Sequence, residues 1–309
     1  MKYLLFGLLA AGSIFGATIT PTYATDYSLI DLGAAPSVPT NYGGITFLAG
    51  DNNTLIVAGT ANNGGGALYT LGVTRDANGH ITGFSGPATL FATAPNNDGG
   101  LAYAPNGTLL FTEYNNNAIG EIKPGSTSPD ATVSLGGSGV PSSVGTLNFV
   151  PAGYNGAGNL VVGSYNGGQF CTVSMTNNGD GTYGFGACTN SVTIGGGPEG
   201  LIYVPQGSSD FASQSVLVSE YSANKVVAFQ IDANGLPIPA TGQDFITGLN
   251  GAEGAVVDPV TGDFLFSTFG SSNHIYEITG FATPTPEPGT MLLLAAGLAG
   301  AGFIRRRKA

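Results

Sequence analysis

From about residue 26 to residue 282 the apolar positions fall in short runs of Val, Ile, Leu, Phe, Tyr and Thr, each bounded by Gly, Asn, Asp or Pro. Helix-length stretches with a 3.6-residue apolar period are few, so the pattern predicts an all-β fold. The runs recur as five copies: "GGITFLAGDNNTLIVAGT", "GGLAYAPNGTLLFTEYNNNAIGEI", "GTLNFVPAGYNGAGNLVVGSYNGGQF", "EGLIYVPQGSSDFASQSVLVSEYSANKVVAF" and "EGAVVDPVTGDFLFSTFGSSNHIYEI". The aligned positions Ile45, Leu101, Leu147, Leu201 and Ala255 are 56, 46, 54 and 54 residues apart. Periods near fifty suit the four-stranded blades of a β-propeller. Within a copy, an inner strand such as 100–104 passes through a Pro-x-Gly turn to a second strand, 109–113. An Asn-rich turn then leads to a third, 119–123. Outer strands are predicted at 88–92, 131–137, 190–196 and 243–249, and the turns "DANG" at 76–79 and 232–235 as Asn-Gly hairpins with positive φ at both central residues.

The fifth copy stops after Ile278, while an unmatched strand, Tyr27 to Gly33, stands ahead of the first. Lending that strand to the last blade closes the ring and leaves no open sheet edge. Five four-stranded blades closed by the N-terminal strand are therefore expected. A sixth, diverged blade is the alternative count, and a β-sandwich or β-helix the alternative architecture. The Pro-Glu-Gly step at 198–200 and the Glu-Tyr-x-x-Asn steps at 113–117 and 220–224 resemble the blades of NHL-repeat and gluconolactonase-like β-propellers. That resemblance implies a shape, since propellers host unrelated functions.

The two ends have a different texture. Lys2 precedes a thirteen-residue uncharged run, Tyr3 to Phe15, with Thr22 and Ala24 as small residues further on. This is the build of a secretory leader, expected over 1–24 with cleavage after Ala24. The β-propeller is expected over 25–282, and a linker with Pro286-Glu287-Pro288 over 283–290. The segment 291–309 combines a short apolar helix, Met291 to Ile304, with the basic cluster Arg305, Arg306, Arg307 and Lys308. Fourteen helical residues span about 21 Å against a hydrocarbon core of about 30 Å, so the helix serves a transient hold in the inner membrane. The cations stay cytoplasmic and leave the body outside. The tail resembles the PEP-CTERM sorting signal, also called the ice-binding protein C-terminal motif, of exopolysaccharide-producing Gram-negative bacteria. The resemblance implies recognition at Pro286-Glu287-Pro288 by an exosortase-type membrane protease, then cell-surface or extracellular delivery. It implies nothing about the domain carried.

Without both ends, Arg75, Lys123 and Lys225 face eighteen acids, a net charge of about −15. Nucleic acid is excluded as a partner, because phosphate binding needs cationic neutralisation. Ca²⁺ or another divalent cation, and extracellular polysaccharide or a protein, remain as candidate partners, with no cofactor certain. Cys171 and Cys188 flank a hairpin predicted to turn at Gly179-Asp180, which sets them directly opposite each other and predicts a disulfide.

The candidate chemistry is carboxylate chemistry. Glu199 and Glu253 share one repeat position just before the inner strand, and Asp98 sits one position earlier in its own blade. All three could reach the mouth of the central channel, where they would hold a hard cation; the bland reading is that each closes its own turn. Glu113, Glu220, Asn117 and Asn224 are expected to satisfy local backbone groups. Tyr114, Tyr165, Tyr221 and Phe269 are equivalent positions that either pack between blades or stack on sugar. His80 and His274 have no nucleophile in a recognisable frame, and no hydrolase, Walker or Rossmann motif is present. The reading is a binding module, with a metal-dependent hydrolase or lactonase as the alternative.

Overall fold

In chain order the strands are β1 (Thr18–Ile19), β2 (Ser28–Gly33), β3 (Ile45–Phe47), β4 (Thr54–Gly59), β5 (Ala67–Arg75), β6 (Ile81–Thr93) and β7 (Asn97–Tyr103). Next come β8 (Leu109–Glu113), β9 (Ala118–Ile122), β10 (Ala131–Ser134), β11 (Val144–Phe149), β12 (Leu160–Ser164), β13 (Gln169–Asn177) and β14 (Tyr183–Thr193). The last are β15 (Pro198–Tyr203), β16 (Ser215–Glu220), β17 (Lys225–Gln230), β18 (Gln243–Thr247), β19 (Ala252–Val257), β20 (Phe264–Thr268) and β21 (Ile275–Thr279). The computed structural model describes residues 16–270 and 273–283. The expected apolar helix, Pro286-Glu287-Pro288, the basic cluster and residues 1–15 of the leader lie outside the described residues.

The strands form five antiparallel sheets: β3 to β6 (blade I), β7 to β10 (II), β11 to β14 (III), β15 to β18 with β1 added outside β18 (IV), and β19, β20, β21 with β2 (V). Among the described residues the count is five, without a sixth blade. Ring closure follows the expectation: Leu29 of β2 faces Ile278 of β21, and Ile30 faces Glu277.

Each blade is sandwiched between two others, so both faces of its second strand must be apolar. Alternate residues then serve opposite seams. On β4, Ile56 joins a cluster with Leu101, Leu109 and Phe111 of blade II, while Leu55 and Val57 join Leu265 and Ile275 of blade V. Five such clusters fill the five seams of the ring.

Two local expectations need correction. In the "DANG" turns only the glycines have positive φ, Gly79 at 93° and Gly235 at 85°. The Asp side chain organises a longer loop: Asp76 Oδ1 accepts from the N–H groups of Asn78 and His80, and Asp232 Oδ1 from those of Asn234 and Leu236. The Cys171–Cys188 disulfide is present with Cα atoms 5.6 Å apart. The two are not directly opposed, however, because bulges between β13 and β14 shift the register and set Cys188 opposite Val173. The bond runs diagonally.

Candidate functional site

The inner strands β3, β7, β11, β15 and β19 meet around the ring axis. Two positions before the aligned apolar residue the blades carry Gly43, Gly99, Gly145, Glu199 and Glu253. Two of the glycines, Gly99 and Gly145, make room for Glu199. A Cβ on Gly145 would sit 2.5 Å from Oε2 of Glu199, and one on Gly99 would run into the Glu199 backbone carbonyl. Hydroxyls on the second strands tie neighbouring inner strands together: Thr112 Oγ1 donates to the Gly145 carbonyl at 3.0 Å, and Ser267 Oγ to that of Gly43 at 2.6 Å.

The structure brings Asp98, Glu199 and Glu253 together. They are 1%, 3% and 1% exposed, and their ligand oxygens lie within 4.8 Å of one another. Beyond contacts within the cluster and its immediate neighbours Asn62 and Gly99, no donor reaches either oxygen of Asp98, Oε2 of Glu199 or Oε1 of Glu253. The side-chain oxygen of Asn62, which adjoins Asp98, is also unpartnered. Burial pushes the Asp98 carboxyl up to about 7, opposed by hydrogen bonds from the Glu253 and Glu199 carboxyls when these are protonated, from the Asn62 side chain and from the Gly99 N–H. Burial first, and the Asp98 charge second, hold Glu199 and Glu253 well above the ordinary carboxylate range. Like charges this close and this dry cannot all ionise without a counter-charge. Protons can supply it, and so can a cation. A donor set made only of oxygens suits a hard divalent ion of the Ca²⁺ class.

An arc of rings lies at the same end of the channel. Tyr114, Tyr165, Tyr221 and Phe269 follow the second strands of blades II to V and meet edge to face, with centroids 5.8, 5.9 and 6.0 Å apart. Blade I carries Thr60 at this position, which leaves a gap in the ring. Burial raises the Tyr221 hydroxyl pKa, and the charges of Glu253, Tyr165, Glu199 and Asp98 raise it further, so the ring feels the carboxylate cluster electrostatically. All four rings are partly exposed. The opposite mouth of the channel is a largely apolar depression of about 300 Å³, lined in part by Leu101, Tyr103, Phe149, Ile202 and Val257.

Other side chains are occupied locally. Glu113 accepts from Asn116 Nδ2 at 2.6 Å and Thr132 Oγ1 at 2.9 Å, and Glu220 lies 3.7 Å from Lys225 Nζ. Asn117 and Asn224 take left-handed backbone conformations and accept from the N–H groups of Val144 and Gly251.

Sequence reasoning missed a second cluster, on the seam between blades I and V. His80 Nδ1 lies 2.5 Å from Asp263 Oδ2, and both adjoin Glu277, whose Oε1 accepts from the Ile81 N–H at 2.8 Å. Burial pushes Glu277 up to about 7, and its hydrogen bond to Asp263 holds His80 above its usual value. Beside them Arg75 grips Asp258 through two bonds of 2.5 and 3.1 Å. Glu121 of blade II accepts from the Tyr183 N–H of blade III in the same way, at 2.9 Å. The contact is thus a repeated blade-to-blade clamp. Its signal was the shared pattern "IGEI" and "IYEI", 156 residues apart. His274 pairs with Asp31 of the closing strand at 2.9 Å.

The PEP-CTERM protein-sorting motif matches residues 284–308. The chain carries an exosortase sorting signal. That signal marks the protein for export, processing at the membrane and cell-surface or extracellular localisation. No curated protein matches the chain. Similar solved structures include a candidate 6-phosphogluconolactonase from Bacteroides uniformis at 14% identity and TM-score 0.43, covering 85% of this chain and 80% of that one. Streptogramin B lyase is similar at 14% identity and TM-score 0.41, over 82% and 98% of the chains. A candidate glucose dehydrogenase from Thermus thermophilus is similar at 11% identity and TM-score 0.47, over 82% and 100%. At these values the likenesses concern the fold alone.

Proposed function

We propose that the exported propeller is a cation-dependent binding module of the cell surface or extracellular matrix. In this reading Asp98, Glu199 and Glu253 hold a divalent ion of the Ca²⁺ class, and the arc of Tyr114, Tyr165, Tyr221 and Phe269 takes a polysaccharide. The observation that carries the proposal is the convergence of three buried carboxylates with unpartnered oxygens beneath a partly exposed aromatic arc. Aromatic faces stack on the apolar faces of sugar rings, and a body near −15 attracts cations. The test is binding of the purified exported protein to neutral and acidic polysaccharides, with and without chelator. Binding that disappears with chelator and with Tyr165→Ala supports the reading. Binding unaffected by both, or no binding with calcium bound, overturns it.

One observation favours the alternative of a metal-dependent hydrolase or lactonase. A cation held by Asp98, Glu199 and Glu253 at the channel would be able to polarise a substrate carbonyl. Lactone turnover lost with chelator and with Glu199→Gln would establish that reading; no turnover by calcium-loaded protein would exclude it. For the tail, mass spectrometry of the exported protein should show the residues after Pro286-Glu287-Pro288 removed. An intact basic C-terminus on surface protein would contradict cleavage there.

A further inference from the structure

The segment from Ala17 to Ala24 is built into the propeller. Thr18 and Ile19 form an extra strand outside β18, facing Thr247 and Ile246. The Thr20 N–H donates to the Phe245 carbonyl at 3.0 Å, and its hydroxyl to that of Asp244 at 2.7 Å. The chain then folds tightly on itself: the N–H groups of Tyr23 and Ala24 donate to the Thr20 carbonyl, and that of Tyr27 to the Tyr23 carbonyl. Tyr23 is 4% exposed. Its ring centre lies 4.8 Å from that of Phe245 and 5.5 Å from that of Phe211, and its hydroxyl donates to Gln243 Oε1 at 3.2 Å. The segment therefore covers the outer edge of blade IV, fills part of the seam with blade V, and leads directly into the closing strand β2. An outer strand without such cover presents unpaired backbone groups to other chains.

Cleavage after Ala24 would discard all of this. It would remove the covering strand and leave a hole among Phe211, Phe245 and Tyr27. We infer that the exported protein retains Thr18 to Ala24, and that the leader peptidase cuts at or before the Ala17–Thr18 bond. The inference rests on the export reading and is independent of any cation or glycan. Leader cleavage precedes folding, so the packed structure does not shield the Ala24–Thr25 bond; the chain upstream must direct the cut. The strongly apolar stretch ends at Phe15, two residues before Ala17 and nine before Ala24, and the residues from Gly16 to Ala24 are mostly small or hydroxylated. Within and just beyond it, Ala10 with Gly12, and Ala11 with Ser13, offer small residues at the minus-three and minus-one positions, and Ala17 offers one at minus one. The step is a hydrolysis: water adds to the carbonyl, the C–N bond breaks, the leader leaves with a carboxylate and the body gains an α-amine.

Intact-mass and N-terminal sequencing of the full chain, exported by a host with leader peptidase, test the inference. The expected N-terminus lies at Thr18 or a few residues upstream. A body beginning at Thr25, or one still beginning at Met1, overturns it. Tyr23→Ala in the same exported chain gives an independent reading: its melting temperature is expected to fall by at least about 5 °C. An unchanged melting temperature would show that the segment is no part of the working fold and would also overturn the inference.

Discussion

Glu253→Gln tests the channel site most sharply, because it changes one charge while keeping shape. Two unit charges within 4.8 Å of each other repel by at least about 3.5 kcal/mol at an effective dielectric of about 20. Three such charges cannot coexist in this buried pocket without protons or a cation. Without calcium at pH 8, removing one of them relieves repulsion, and the variant should be more stable than the parent by about 1 to 3 kcal/mol. For a body of this size that is a rise of roughly 2 to 12 °C in melting temperature. With calcium the order reverses. A cation at about a hundredfold over its dissociation constant stabilises the parent by about 2.7 kcal/mol, or roughly 5 to 11 °C, while the variant, lacking one carboxylate, should respond little. Thermal denaturation of both proteins at pH 8, in chelator and in about 10 mM calcium, a range that saturates extracellular sites, reads all four values. A parent that melts at the same temperature in calcium and in chelator would refute the cation site, whatever the variant does.

In chelator, stability should fall as pH rises from about 4.5 to about 7. Glu121 and Glu277 are raised to about 7 by burial, so in that window the folded chain holds protons that the unfolded chain has released; a flat profile from pH 5 to 8 would count against this. Arg75→Met leaves the fully buried Asp258 carboxylate without its partner, and should cost about 3 to 5 kcal/mol by urea denaturation. A loss under about 1 kcal/mol would show the pair to be dispensable to ring closure. Replacing Cys171 and Cys188 together by Ser opens a cross-link between residues 17 apart, and should cost about 3 kcal/mol by the same assay. No change would mean that the bulged hairpin holds its register unaided.

The blades were legible because each buried strand obeys one local rule. A strand pressed on both faces must be apolar throughout, and "TLIVAG", "LLFTE" and "FLFST" announce themselves at a period near fifty. The closing strand was legible by elimination, since the fifth copy lacked an outer strand and Tyr27 to Gly33 lacked a sheet. The "DANG" turns and the cysteine register were misjudged because each depends on where one extra residue is accommodated. An Asp side chain can widen a turn by accepting two N–H groups, and a bulge can slide one strand past its partner. Neither leaves a mark on apolar periodicity. The role of Tyr23 was hidden for a related reason. Its burial is made by Phe211 and Phe245, roughly two hundred residues away, and "TYA" seen locally looks like a peptidase site.

The channel site shows how a repeat protein acquires chemistry that its repeats do not announce. Five equivalent positions converge on one axis, so five identical side chains there would clash or repel. Blades I, II and III carry Gly43, Gly99 and Gly145 there, and the space left at Gly99 and Gly145 admits Glu199 from blade IV, while blade V supplies Glu253. Asp98 joins them from one position earlier in blade II. The informative signal is therefore the departure from the repeat, Gly-Gly-Gly-Glu-Glu at a single aligned column, more than the repeat itself. It follows that Gly145→Ala, which adds one methyl group 2.5 Å from Oε2 of Glu199, should weaken the calcium response although it touches no ligand chemistry. The glycines are as much a part of the site as the acids.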